Sequence, residues 1–153
     1  MISGMIVQGN GPYQGFDKES FYAVLASGDA GMIDAQLSML REETIKGKEA
    51  YEGALLMKKA GFAAGPKEKL RLFKAGYIKL ESSLAKDSSN GEYHFLRLTI
   101  QEHAPRIVKY YKDQEKDCQY IYRSFGSLSP VVQKAILNYS KHSSILHAKE
   151  LNG

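Results

Sequence analysis

The chain reads as all-α. Apolar residues recur at steps of three and four, no stretch alternates in the manner of a half-buried strand, and Gly, Pro, Asp, Asn and Ser cut the periodic stretches into helix-sized pieces. With 153 residues, 43% of them hydrophobic and 25% charged, the chain has room for one core and is too apolar to be wholly disordered. The connections are short, which favours antiparallel neighbours, so the expected architecture is about six or seven helices in antiparallel hairpins.

Each element has a local reason. Gly4, Gly9, Gly11, Pro12 and Gly15 deny regular structure to residues 1–15, which are expected to form a flexible arm. Asp17 is placed as an N-cap for a short helix with Phe21, Val24 and Leu25 on one stripe, closed by Gly28. A second helix starts near Asp29, carries Ile33, Leu37 and Leu40, and stops between Glu43 and Gly47. From Lys48 to Phe62, large side chains (Tyr51, Leu55, Met57) lie beside small ones (Ala50, Gly53, Ala54, Ala60), a pattern that lets another helix approach closely.

After the Gly65-Pro66 turn, Leu70, Phe73, Tyr77, Leu80 and Leu84 mark an amphipathic helix over Lys67–Lys86. The sequence Asp87-Ser-Ser-Asn-Gly is a turn. Glu92 to His103 has so wide an apolar face (Phe95, Leu96, Leu98, Ile100) that it should be the central element, ending at Pro105. A single helical turn over Arg106–Tyr111 precedes a helix capped by Asp113, running through Cys118, Ile121, Tyr122 and Phe125 and ended by Gly126. Ser129-Pro130 starts the last helix, with Val132, Ala135, Ile136 and Tyr139 inward. Residues 16–141 thus form the single domain, and 142–153 are expected to fray.

The helix pair Lys48–Phe62 and Lys67–Lys86, followed by Lys86-Asp-Ser-Ser-Asn-Gly-Glu and a further helix, resembles a tetratricopeptide-like helical hairpin. Gly76, Leu80 and Ser83 fall near the small, large and small positions of that family's second helix. The resemblance implies stacked hairpins, since one hairpin cannot bury its face alone. The runs Ala50–Gly61 and Glu92–Pro105 are also similar to a group of small uncharacterised bacterial helical proteins, which implies no activity.

Several chemistries find no footing. His94 and His103 stand nine residues apart and so on opposite helix faces, Glu92 and His94 diverge, and no His-Glu-x-x-His pattern exists, so neither metal nor cofactor is expected. Cys118 shares a stripe with Ile121 and Phe125 and reads as a small buried hydrophobe. Gly61-Phe-Ala-Ala-Gly65-Pro66-Lys67 lacks a phosphate loop's spacing, its lysine and its hydroxyl. Asp113, Glu115 and Asp117 read as a solvated first turn favoured by the helix dipole. With these constellations missing, the chain is not expected to be an enzyme.

Two surfaces remain. Arg97 and Gln101, four apart on the central helix, either bind carbonyls internally or, with Tyr93 and His94, line a groove against the hairpin that receives a protein or peptide partner. Alternatively Lys58, Lys59, Lys67, Arg71 and Lys74 form a basic face for nucleic acid or another anion, and the formal charge of +4 permits it. Acidic neighbours such as Glu68 and Glu81 interrupt that face. Ten tyrosines leave room for an aromatic patch compatible with a homodimer. A lone cysteine, no signal-like start and no apolar run of about 20 residues suggest a cytoplasmic protein without a membrane span.

Overall fold

A computed structural model describes residues 15–151. Among them run eight α-helices and no strand: α1 (Lys18–Ser27), α2 (Ala30–Arg41), α3 (Lys48–Ala60), α4 (Pro66–Lys86), α5 (Gly91–Gln101), α6 (Gln114–Ser124), α7 (Pro130–Ser140) and α8 (Ala148–Leu151), with 3-10 turns at Arg106–Val108 and Phe125–Ser127. The fold is all-α. The arm expected over residues 1–15 lies outside the described residues except for Gly15.

The helix starts follow local hydrogen-bond chemistry. Asp17 accepts from the Ser20 amide at 2.9 Å and Asp29 from the Met32 amide at 2.9 Å. Asn90 accepts from the Tyr93 amide at 3.0 Å, and Ser129 caps α7 ahead of Pro130. Each cap satisfies an amide that the helix itself leaves free. Gly47, at φ 87°, turns the chain into α3 in a conformation that a residue with a Cβ adopts only under strain.

Helices α3 and α4 form the tightest pair. Glu49 pairs with Lys86, Glu52 with Lys79, and the Gly61 carbonyl accepts from Lys69, so the two run antiparallel. They cross at two glycines. A Cβ on Gly53 would stand 2.7 Å from the Gly76 carbonyl oxygen, and one on Gly76 would stand 2.5 Å from the Gly53 oxygen. This corrects the expected face of α4: its buried residues are Leu72, Gly76, Leu80, Ser83 and Leu84, while Leu70 and Tyr77 point outward. The physical reason is that the seam runs through glycine, where backbones touch, rather than through the largest side chains.

Helix α5 is the centre, with only Thr99 not buried along its length. Phe95 packs between the rings of Tyr22 on α1 and Tyr139 on α7. In the first turn of α5, Glu92 accepts from Tyr22 at 2.6 Å, Tyr51 at 3.0 Å and Lys18 at 3.1 Å, joining α1 and α3 to it. Helix α6 lies antiparallel to α5, with Gly91 against Ser124 at one end and Gln101 bonded to Asp113 at the other.

Of the tail expected to fray, the described residues 142–151 pack against the domain. Leu146 is fully buried and Leu151 nearly so. Ser143 and Ser144 bond to the Glu102 carboxylate, and the Tyr122 hydroxyl accepts from the His147 amide at 3.0 Å. Two buried leucines and a polar anchor outweigh the absence of a long helix.

Candidate functional site

The expected groove residues Tyr93, His94, Arg97 and Gln101 are all buried, the last three in one internal network. Arg97 donates to Asp117 through Nε and Nη2, the shortest contact being 2.8 Å, and through Nη1 to Glu81 at 3.1 Å. Gln101 donates to Asp113 at 3.1 Å and accepts from the Asp113 amide at 3.0 Å. His94 sits with Nδ1 at 2.7 Å from Asp117 Oδ1 and Nε2 at 2.7 Å from the Ser88 carbonyl. Both neighbours are oxygens, and which ring nitrogen donates depends on the tautomer. Its face stacks on Tyr120 with centroids 4.1 Å apart.

Burial alone lowers the Arg97 pKa, but the Asp117 hydrogen bonds and the charges of Asp117, Glu81 and Asp113 outweigh it and raise the value. Tyr110 donates to Glu81 at 2.6 Å, and burial followed by that bond raises its pKa. Arg97 and Gln101 both bond within this chain. Their donors are spent on this chain's own carboxylates, as is usual for a buried guanidinium. Asp117, expected in a solvated first turn, is fully buried. Asp113 occupies the cap position of α6 yet makes no side-chain cap bond, its carboxylate being taken by Gln101.

Of the four, Tyr93 lines a shallow surface cleft of about 580 Å³, shared with Ile45, Lys46, Lys48, Lys86 and Asp87. Two of its lysines are already engaged. Lys48 donates to the carbonyls of Arg41 and Glu43, and Lys86 pairs with Glu49.

A groove does lie between the α3–α4 hairpin and α5, but at the far end of α5 and with another lining. It has a volume of about 770 Å³, with Met57, Phe62, Leu70 and Phe73 from the hairpin facing Ile100 and Ile107. Exposure is 51% at Phe62, 61% at Leu70 and 87% at Ile107, so these side chains meet no covering element of the described fold. The same wall geometry, concave and mostly apolar with a few polar groups, is general to binding sites. No signal of it was legible along the chain: Leu70 stood on the expected stripe with Phe73, Tyr77, Leu80 and Leu84, and only the packed Leu72–Gly76–Leu80 seam leaves it in water. Ile107 sits in a short piece without periodicity and gave none either.

Lysines 58 and 69 and His103 are the groove's titratable side chains, and no carboxylate lines it. Lys69 donates to the Gly61 carbonyl at 3.3 Å. Lys58 is half-buried, has no hydrogen-bond or ion-pair partner among the described residues, and burial lowers its pKa. Of the other basic residues expected to form an anion face, Lys59 pairs with Asp34 at 2.6 Å and Arg71 with Glu68 at 2.6 Å. Lys67 and Lys74 are exposed. The five are therefore divided between two ion pairs, a groove and open solvent.

Cys118 is buried as expected, and burial together with Asp117, Glu102 and Glu115 pushes its thiol up to about 12, which suppresses the thiolate at neutral pH. Among the described residues no group of three or more His, Cys, Asp or Glu is placed to hold a metal ion. None of their helices is long and apolar enough to cross a membrane. Comparison with family models, with curated proteins and with solved structures finds no match.

Proposed function

We propose that this chain is a non-enzymatic, tetratricopeptide-like interaction module of the cytoplasm that binds a segment of a protein partner. The supporting observation is the groove where Phe62, Leu70 and Ile107 stand in water. Covering apolar surface stabilises a complex by roughly 25 cal/mol per Å² before the costs of association, so a concave apolar wall is where affinity concentrates. The antiparallel α3–α4 pair with its glycine crossing supports the tetratricopeptide-like reading of the hairpin. The binding surface in this reading differs from the Tyr93–Gln101 face expected from sequence, because that face is occupied by Asp117, Glu81 and Asp113.

The test is affinity capture from the protein's own cells at low and high salt, with and without nuclease, using the native chain and the Leu70→Asp variant. A partner protein retained at high salt and lost with Leu70→Asp supports the groove. Capture of nucleic acid alone, abolished by salt or nuclease, favours the basic face instead, since phosphate contacts weaken steeply with salt. Lys67 and Lys74, exposed on α4, are then the residues to reverse.

A further inference from the structure

Building on the proposed groove, we infer that its occupant is an amphipathic helix of acidic character, laid with its apolar face on Phe62, Leu70 and Ile107 and a carboxylate against Lys58. Two observations and one physical argument lead there. The charge-bearing side chains that line the groove are cationic or histidine, with Lys58 and Lys69 on the hairpin wall and His103 opposite, and Arg106 stands exposed beside Ile107. Lys58 is the partly buried one, with no carboxylate to meet it among the described residues. A cation half-withdrawn from water beside apolar surface gains most from an anion brought in by the ligand, because the dielectric there is lower than in bulk water.

The backbone decides the partner's conformation. The described residues contain no strand, so the groove presents no sheet edge that could pair with an extended segment. A helix satisfies its own amides and carbonyls and presents its apolar side chains on one face, which suits a groove that offers no strand to pair with. Charge also argues against a second copy of this chain as the occupant: at +4, a copy would bring net positive charge to a cationic wall.

The test is selection of a display library of helical peptides of about 16 residues, long enough to hold a helix, on the immobilised full chain. Enriched peptides are then synthesised and titrated by fluorescence anisotropy against the native chain, Leu70→Asp and Lys58→Glu. Circular dichroism checks that each variant folds, which their exposed or partnerless side chains favour. The expected result is enrichment of apolar residues at i, i+3, i+4 and i+7 flanked by Glu or Asp. Lys58→Glu should weaken such a peptide roughly tenfold, and the same peptide with Lys in place of the acidic residue should regain affinity for Lys58→Glu.

Enriched peptides that are neutral or basic, or that ignore Lys58→Glu, overturn the acidic partner while leaving the groove standing. Peptides that bind Leu70→Asp as well as the native chain, or no enrichment at all, overturn the groove itself and this inference with it.

Discussion

Asp117 has no solvent exposure, yet one of its oxygens faces the His94 ring and both receive hydrogen bonds from Arg97. Removing one member of a buried charged pair strands the other, which costs about 3–5 kcal/mol. Asp117→Ala should therefore lose about that much stability in urea denaturation, and Arg97→Met combined with Asp117→Leu should recover part of it, since neither charge is then orphaned. An additive double variant would mean that the two residues do not act as a pair. The i, i+4 spacing of Arg97 and Gln101 was visible along the chain. Their partners were not, because Glu81, Asp113 and Asp117 lie between 12 and 20 residues away and only packing brings them in.

At the scale of elements, the α3–α4 crossing and the C-terminal strap each make a testable claim. A methyl group at Gly76 would meet the Gly53 carbonyl and the Met57 amide, both backbone groups unable to step aside. Gly76→Ala should cost about 1–3 kcal/mol, the range for overpacking, and thermal unfolding would show it. An unchanged melting temperature would mean that the helices separate freely.

The strap over residues 143–151 hangs on Glu102, which accepts from Tyr139, Ser143 and Ser144. Burial by itself would raise the pKa of this carboxyl, but those bonds outweigh it and hold the value below the usual 4.5. A depressed folded value contributes stability that is complete above the unfolded pKa and is lost as the pH falls through the folded one. Amide exchange over 143–151 should therefore quicken, relative to the rest of the chain, as the pH drops below about 4.5. Glu102→Gln should show the faster exchange already at neutral pH. Equal protection in native chain and variant at neutral pH would show that the buried leucines alone hold the strap.

For the molecule as a whole, the division between core and groove makes opposite claims about neighbouring apolar residues. Leu80 is fully buried, whereas Leu70 is 61% exposed on the same helix. Leu80→Ala should cost about 2–5 kcal/mol through the cavity it leaves. Leu70→Asp should change stability by less than about 0.5 kcal/mol while removing partner capture. A large stability loss from Leu70→Asp would mean that this side chain belongs to the core and not to a binding wall.

Sequence alone determined the local properties of this protein: the helical period, the caps at Asp17, Asp29, Asn90 and Ser129, the stop at Gly28, the turns and the wide apolar face of α5 all depend on residues within a few positions of one another. Tertiary structure decided which face of each helix is inside and what lies against it. The glycine seam moved the buried stripe of α4 off Leu70 and Tyr77, the long-range carboxylates drew Arg97 and Gln101 inward, and two leucines held a tail with no long helix of its own. The reason is physical: capping and periodicity are settled by bonds within a turn or two of helix, whereas a groove exists only as the space that separate elements leave between them.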